Sequence, residues 1–345
     1  MKIAILGDVH YGVRNDNIHF IELNKKFFNT LFFPYIKKHN IDCVIQLGDL
    51  VDRRKYINFN TLNRMRIDFL EPLQKCNIPS YFIAGNHDCT YKNTNYINSL
   101  KELLFEKYNF EIYDMYCDTV SFDGLDILLV PWICDDNREM TYERVRLTSA
   151  QICMGHLELS GFPMHKGHIS TEGDDPSLFN RFDMVFSGHY HTRSRNGNIH
   201  YLGAHSEFTW SDYNDPRGFN VFDTSTREIE FIENPYKIHK KIFYKDNIEL
   251  PNDCSESIIK VIIQNKNDLY NYDKFIEHIE KQNPIELQVV EDHLNLDLED
   301  DEHIVNEAES TIDIFKKYID KSNIPNKNNV EKVIMELYNE ALSMD

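Results

Sequence analysis

Metal-binding residue types stand beside or just after a glycine at five places in this sequence, and each glycine ends a short hydrophobic run. One such pair is common by chance, but five in succession along one chain are not. The pattern predicts that several strands end at the same edge of a sheet and present ligand side chains there. The residues concerned are Asp8 and His10, Asp49 and Asp52, Asn86, His87 and Asp88, His156, and His189 and His191.

The ligand types in these positions suit a pair of metal ions better than a single ion. Two carboxylates, one amide and four imidazoles exceed the four ligands of a tetrahedral zinc site, but they suit two ions if one carboxylate is shared. Oxygen and nitrogen donors without thiolate favour manganese, iron or zinc over calcium or magnesium. Two ions about 3.5–4 Å apart can hydrolyse phosphoesters. The seven candidate ligands are Asp8, His10, Asp49, Asn86, His156, His189 and His191.

The elements that must position these residues follow an α/β pattern up to about residue 235. Residues 20–39 and 62–76 show apolar side chains at helical spacing, and a strand-like run follows each of them. After residue 118 the strands have fewer helices between them, which favours a sandwich of two sheets with flanking helices. We therefore expect residues 1–235 to form the core.

The sequence changes character beyond residue 235. A basic patch at residues 237–245 precedes a strand at 257–264, a helix at 267–282 and a strand at 285–290, which predict a small α+β capping domain at 236–291. Residues 292–303 are interpreted as an acidic linker. Residues 304–345 contain two amphipathic stretches, 304–319 and 330–342, which predict a helical tail. This tail either packs back on its own domain or binds a partner.

The charge of the chain argues against a simple nucleic-acid-binding protein. The chain has 37 basic and 56 acidic residues, and residues 240–345 alone contain 12 basic and 24 acidic ones. An acidic tail contacts proteins more often than DNA. No apolar run is long enough to span a bilayer, no secretory signal is evident and the seven cysteines are scattered. We therefore expect a cytoplasmic protein without disulfides.

The order of the five motifs, DxH, GDxxD, GNHD, GH and GHxH, resembles that of the calcineurin-like metallophosphoesterase superfamily. The resemblance implies one ion held by Asp8, His10, Asp49 and His191. It implies a second ion held by Asp49, Asn86, His156 and His189. His87 would face the substrate and assist the leaving oxygen, and Asp88 would orient His87.

Details around the motifs resemble one branch of this superfamily. Residues 8–12, with the pattern DxHxG, are similar to SbcD-type recombination nucleases, and residues 131–134, 155–161 and 214–219 resemble the recombination endonuclease subunit of large tailed phages. This implies a DNA nuclease with two Mn²⁺ ions, with Mg²⁺ or other divalent ions as alternatives. It would degrade duplex DNA from 3′ to 5′ and cut single strands, in the host cytoplasm if the chain is phage-encoded.

The same resemblance implies partners. It implies a homodimer, built from the helices at 62–76 and 95–108, and a coiled-coil ABC-type ATPase of the SbcC type bound to the tail. The chain has no GxxxxGK[ST] sequence, so the ATPase would have to supply the phosphate-binding loop.

Two positions need separate interpretation. Asp52 stands where archaeal and eukaryotic relatives carry histidine, although the bacterial and phage pattern has aspartate, and we include it among the catalytic candidates. His205 lies in a segment that lacks the usual proline after Gly203, and we interpret it as a local substitution rather than an extra ligand.

Basic residues beside the motifs are the candidate DNA contacts, because phosphate contacts give affinity without reading the base sequence. Each cluster is also compatible with a simple solvated loop. The candidates are Arg53, Arg54, Lys55, Lys166, Arg193 and Arg195.

Two other functions remain open. A small-substrate phosphatase or cyclic-nucleotide phosphodiesterase would use the same metals, although the DxHxG pattern and the capping domain favour the nuclease. A catalytically silent scaffold for DNA ends would not need the complete ligand set or His87.

Overall fold

Two six-stranded sheets form the centre of the structure, a computed structural model that describes residues 1–165, 168–246, 248–291, 327 and 330. The first sheet contains, in spatial order, β14 (Ile229–Glu233), β13 (Gly218–Asp223), β1 (Lys2–Leu6), β2 (Cys43–Gln46), β3 (Ser80–Ile83) and β4 (Glu111–Tyr113). The second contains β11 (Ser194–Asn196), β12 (Ile199–Tyr201), β10 (Met184–Ser187), β7 (Ile152–Gly155), β6 (Leu125–Val130) and β5 (Asp118–Phe122). A separate hairpin pairs β8 (Pro163–His165) with β9 (His168–Ile169).

Parallel pairing at the centre of both sheets explains why helices separate many of the strands. In the first sheet β1 pairs in parallel with β2, and β2 with β3; in the second, β7 pairs in parallel with β6 and β10. Parallel neighbours need a crossover connection, most often a helix. The helices are α1 (Val13–Asp16), α2 (Ile18–Phe27), α3 (Phe33–His39), α4 (Phe59–Met65), α5 (Glu71–Cys76), α6 (Ser99–Leu104), α7 (Arg138–Leu147) and α8 (Leu269–Glu280). Short 3₁₀ turns lie at Pro176–Phe179 and Trp210–Asp212.

Alternating side chains of β1 contribute to two separate hydrophobic layers. Ala4 and Leu6 pack with the helices outside the first sheet, whereas Ile3 and Ile5 pack between the two sheets. This alternation is the period of two that a strand imposes on its side chains. A third layer covers the outer face of the second sheet and includes Val145 of α7. The predicted sandwich of two sheets with flanking helices is confirmed.

The two long helices expected at 20–39 and 62–76 each contain a π-helical segment. Phe28–Phe32 joins α2 to α3, and Arg66–Leu70 joins α4 to α5. The helix that follows each segment has a proline as its second residue, Pro34 or Pro72. A proline ring clashes with the carbonyl four residues earlier and has no N–H. The wider π turn accommodates this ring without ending the helix.

A third sheet of three parallel strands follows the core. It contains β15 (His239–Tyr244), β16 (Ile258–Ile263) and β17 (Glu286–Glu291), and α8 connects β16 to β17 as the sequence predicted. Most of the basic patch at residues 237–245 forms β15, a strand that the sequence pattern did not predict. Its lysines are at least partly exposed, and Lys240 pairs with Asp253 at 3.2 Å.

Residues Met1–Asn295 form one compact unit that holds all three sheets. The expected acidic linker at 292–303 and the helical tail at 304–345 lie outside the described residues, apart from Lys327 and Val330. Among the described residues, we find no helix with the length and apolar character that crossing a bilayer requires.

Candidate metal centre

Five loops bring the candidate ligands together, and each loop leaves the carboxyl end of a strand. The strands are β1, β2 and β3 of the first sheet and β7 and β10 of the second. Three of the ligand residues, His10, Asp49 and His189, have left-handed backbone φ angles of 49°, 54° and 79°. Such angles are unfavourable for residues with a side chain and concentrate at functional sites. These three residues therefore adopt a less stable backbone conformation, which directs their side chains toward the other candidate ligands.

Two of the glycines are required because ligands from neighbouring loops come very close to their backbone. A methyl group at Gly85 would overlap the carboxylate of Asp49, and one at Gly48 would overlap the ring of His156. Gly48 also has a φ of 97°, which favours glycine. These two glycines thus permit close contact between ligand loops, and Gly48 also permits a sharp turn.

The first cluster joins Asp8, His10 and His191, whose ligand atoms lie within 4.8 Å of one another. The Nε2 atoms of His10 and His191 are 3.1 Å apart. Asp8 Oδ2 is buried and has no hydrogen-bond partner in the described part of the chain. Two imidazole nitrogens and an unpartnered carboxylate oxygen that face one another are a suitable environment for a cation.

The second cluster joins Asp49, His156 and His189, again within 4.8 Å. The Oδ1 atom of Asn86 lies 2.9 Å from His156 Nε2 and 3.0 Å from His189 Nδ1. Asp49 lies between the clusters, because its Oδ2 is 3.6 Å from His10 Nε2 and 3.4 Å from His156 Nε2. The structure thus brings all seven predicted ligands together and places Asp49 where a bridging carboxylate would lie.

The electrostatics of the clusters also favour bound cations. Burial alone would lower the pKa of His10, but Asp52 and the charge of Asp49 raise it to about 10. Asp49 likewise raises the pKa of His156 to about 9 against the effect of burial. Burial and the neighbouring His10 lower the pKa of His191 to about 4. Protons or metal ions must therefore balance the buried carboxylates, and the donor set fits a divalent metal.

His87 lies at the edge of the two clusters and shares its environment with His10. Their rings meet edge to face, with centroids 4.8 Å apart. His87 Nδ1 lies 2.5 Å from the backbone carbonyl oxygen of Asp52, and the His87 amide donates to Asp49 Oδ1 at 2.8 Å. The carboxylate of Asp52 approaches a different residue, His10, with Oδ1 3.3 Å from Nδ1. The side chain of Asp52 thus contacts the candidate ligand His10, and the backbone carbonyl of Asp52 contacts His87.

The expectation that Asp88 orients the imidazole of His87 was wrong. The carboxylate of Asp88 is completely buried and accepts hydrogen bonds from the amides of Gly85 and Leu50, at 2.9 and 3.1 Å, and from the hydroxyl of Ser99 at 3.0 Å. No ion pair between Asp88 and His87 is found in the described residues. The amides of Gly85 and Leu50 belong to two ligand loops and have no backbone acceptor within the described ranges. The Asp88 carboxylate accepts their hydrogen bonds instead. Asp88 therefore shapes the loops, and the Asp52 carbonyl orients His87.

The basic residues that follow the second motif differ in accessibility. Arg53 is held by Asp16 at 3.1 Å and by Asn15 at 2.6 Å. Arg54 has a buried guanidinium nitrogen without a hydrogen-bond partner among the described residues, whereas Lys55 is exposed. Lys55 is therefore the most accessible of these three candidate DNA contacts.

The other basic candidates do not lie among the ligands. Arg193 places its guanidinium 3.5 Å from the centre of the Phe231 ring in the first sheet. Arg195 lines a cavity of about 800 Å³ together with Lys2 and Met184, the first residues of β1 and β10. The candidate ligands follow the opposite ends of those strands, so Arg195 was wrongly predicted to lie near the metals. Lys166 lies outside the described residues.

Several residues around the clusters were missed by sequence reasoning. Trp132 places its ring 5.3 Å from that of His189, and its indole nitrogen is buried without a partner in the described residues. Arg217 is 1% exposed and donates a hydrogen bond to the carbonyl oxygen of His191. Both belong to segments that carry the resemblance to phage nucleases, 131–134 and 214–219. His205, which was not expected to be a ligand, is buried with its ring between the Asp8 carbonyl and Asn24.

Comparison with known proteins identifies the family. The family model described as calcineurin-like phosphoesterase matches residues 1–193. The chain belongs to the calcineurin-like phosphoesterase family. Exonuclease subunit 1 of Enterobacteria phage T4 is 36% identical to this phosphoesterase over 283 residues, 81% of this chain and 82% of that protein. The SbcD component of the nuclease SbcCD from Staphylococcus saprophyticus is 26% identical over 260 residues, 66% of this chain and 67% of that protein.

A second staphylococcal protein agrees. The corresponding SbcD component from Staphylococcus epidermidis is 25% identical to this phosphoesterase over 284 residues, 69% of this chain and 73% of that protein. The resemblance inferred from the motifs is confirmed by the family match and by these relatives. The predicted enzyme class, a metal-dependent nuclease, is confirmed on the same basis.

Proposed function

We propose that this phosphoesterase is a two-metal DNA nuclease that degrades duplex DNA from 3′ to 5′ and cuts single strands. The observation that carries the proposal is the convergence of seven donor residues, with Asp49 between the two clusters and His87 beside them. Two relatives are named as nuclease subunits and one as an exonuclease subunit, which supports DNA as the substrate class. Processing of DNA ends for recombination and repair is the proposed role.

The two ions would be held by the two clusters. One would bind Asp8, His10, Asp49 and His191. The other would bind Asp49, Asn86, His156 and His189. When bound, two divalent ions supply the Lewis acidity for phosphodiester hydrolysis. We propose Mn²⁺ as the metal on the basis of the resemblance to SbcD-type nucleases. The donors, which combine carboxylate, amide and imidazole without thiolate, are compatible with Mn²⁺ as well as with iron or zinc.

His87 is proposed to protonate or stabilise the leaving oxygen. Its Nδ1 lies against the Asp52 carbonyl oxygen, which can only accept a hydrogen bond. Nδ1 must therefore carry the hydrogen of this bond. The proton that could be transferred is therefore the one on Nε2 of the imidazolium form. Asp49 fixes the backbone of the same residue. We propose a supporting role for Asp52, which also positions His10.

The proposed partners follow from the relatives' names, since each is called a subunit. We propose that an SbcC-type coiled-coil ABC ATPase binds residues 304–345. The acidic linker at 292–303 would connect this tail to the rest of the chain. We also propose a homodimer and a cytoplasmic location. The domain boundary near residue 235, with a capping domain at 236–291, is part of the same proposal.

The test uses purified protein, Mn²⁺ and duplex DNA labelled at one 5′ end. Successive shortening that retains the label would support 3′-to-5′ exonuclease activity, and cleavage of a circular single strand would support the endonuclease. Reactions with EDTA and with the candidate ATPase measure the dependence on metal and partner. Rapid turnover of bis(p-nitrophenyl) phosphate with duplex and single-stranded DNA left intact would contradict the proposal in favour of a small-substrate phosphodiesterase.

A further inference from the structure

Residues 205–217, here called the bridging loop, lie between the first metal cluster and the third sheet. On the metal side, the ring of Phe208 lies 5.4 Å from the ring of His10 and 5.4 Å from the ring of His191, edge to face with both. Arg14 Nε donates to the Phe208 carbonyl oxygen at 3.0 Å. The position of Phe208 therefore constrains two candidate ligands of the first ion.

A buried ionic network anchors the same loop to the backbone of a ligand. Arg217 donates to the His191 carbonyl oxygen and pairs with Asp212 at 2.7 Å and Asp215 at 2.9 Å. Asp215 also accepts from the hydroxyl of Thr192 at 3.0 Å. These contacts fix both the side-chain and the main-chain surroundings of His191. Breaking one partner of a buried pair leaves an uncompensated charge, so the network resists displacement.

On its other side the bridging loop holds the first strand of the third sheet. Glu207 Oε2 accepts from the amides of Ile238 and His239 at 3.1 and 3.0 Å and lies 3.2 Å from His239 Nδ1. Glu207 and His239 are each about 1% exposed at the side chain. The ring of Trp210 lies 4.8 Å from the His239 ring. A buried carboxylate with three donors is a specific attachment rather than general apolar packing.

The two attachments are adjacent in the chain, since Glu207 binds the third sheet and Phe208 contacts the ligands. Asp212 joins them, because its Oδ2 accepts from the amides of Phe208 at 2.7 Å and Thr209 at 2.9 Å. A displacement of β15 that keeps the Glu207 hydrogen bonds must therefore move Phe208. The ligands His10 and His191 would move with it.

We propose that the bridging loop couples the position of the third sheet to the first metal cluster, with Glu207 and Arg217 as positioning residues. The inference rests on the proposed function only in taking Asp8, His10 and His191 as ligands of an ion. Its consequence is that an event that moves residues 236–291 changes affinity for one ion and leaves the other in place. The coupling is reciprocal, so binding of that ion also tightens the attachment of β15.

The test compares the full chain with Glu207→Gln, which keeps the size of the side chain but presents an amide to the backbone donors. The matched control is Asp253→Asn, an exposed carboxylate between β15 and β16 that pairs with Lys240. Mn²⁺ binding is titrated by electron paramagnetic resonance of the free ion. We expect Glu207→Gln to weaken one of two Mn²⁺ sites by roughly tenfold, in the range for residues that orient ligands. Asp253→Asn should bind both ions as the unaltered chain does.

A measurement on the unaltered protein removes dependence on the folding of the variant. Hydrogen exchange at the amides of Ile238 and His239 is followed with and without Mn²⁺. We expect Mn²⁺ to slow exchange at these amides at least severalfold in the unaltered chain and much less in Glu207→Gln. Equal exchange with and without Mn²⁺ would overturn the coupling. Two bound ions of unchanged affinity in folded Glu207→Gln would also overturn it and leave the proposed function intact. Absence of any Mn²⁺ binding by the unaltered chain would overturn both.

Discussion

At the scale of single residues, the centre separates groups that face the metals from groups that hold their loops. His87 has one ring nitrogen fixed by the Asp52 carbonyl, whereas the buried carboxylate of Asp88 is used by backbone amides and Ser99. Adjacent residues of one motif thus have different tasks. Substitutions at the two positions should separate chemistry from stability.

His87→Ala should lower the rate of DNA cleavage by about 10²–10⁴-fold, because the leaving oxygen loses its proton donor. The ligand side chains are unchanged, so Mn²⁺ stoichiometry and DNA affinity should stay the same. Single-turnover cleavage, metal analysis and a DNA-binding assay on the same preparation measure the three properties. Normal cleavage by this variant would rule out the role given to His87.

Asp88→Asn should act on stability first. The new amide group would face the Gly85 and Leu50 amides, which are donors, and we expect a loss of about 2 kcal/mol in the free energy of unfolding. Once corrected for the folded, metal-loaded fraction, cleavage should fall far less than in His87→Ala. Denaturant unfolding and single-turnover rates decide the matter. An undiminished stability combined with a His87-like loss of rate would support direct orientation of His87 by Asp88.

At the scale of elements, much of the arrangement was predictable from the sequence. The strand-glycine-ligand pattern predicted which strand ends converge, because glycine is required where Asp49 and His156 approach the backbone. The hydrophobic period predicted the helices but not the π segments, whose cause is the local clash of Pro34 and Pro72. It also missed β15, since the adjacent Lys240 and Lys241 interrupt the apolar alternation that is typical of a strand. The role of Asp88 came from the family resemblance, and a motif position says nothing about which donors surround a side chain.

Gly85→Ala should disrupt the metal centre although the change is one methyl group. The methyl would overlap the carboxylate of Asp49, so we expect at least tenfold weaker Mn²⁺ binding. The matched control is Gly197→Ala, which faces open space but has a φ of 59°. That control should lose about 1 kcal/mol of stability with no change in Mn²⁺ binding. Calorimetric metal titration and thermal unfolding of both variants provide the comparison, and equal metal affinities would contradict it.

At the scale of the whole molecule, charge is distributed unevenly along the chain. The net charge is −19, and residues 240–345 contribute 24 of the 56 acidic residues. A DNA-processing enzyme gains by keeping repulsive charge away from its substrate, since phosphate contacts are electrostatic. The acidic region therefore suits a protein partner better than DNA.

Truncation after Asn295 should separate cleavage from assembly. Residues Met1–Asn295 form one compact unit that contains every candidate ligand, so Mn²⁺-dependent exonuclease activity should persist within about threefold. Binding to the ATPase should be lost, as measured by co-elution in size-exclusion chromatography with the full chain as reference. Undiminished co-elution would show that the ATPase binds elsewhere.

The contact between His10 and His191 joins residues 181 positions apart in the chain. When the ribosome has synthesised the candidate ligands that follow β1, β2 and β3, it has still to synthesise β10 and the loop after it. A contact of such long range carries a high loop-closure cost, and it requires strands of both sheets to be present. A partly synthesised chain therefore lacks the complete centre, and a cell that translates this enzyme meets its nuclease activity only once the core has folded as a whole.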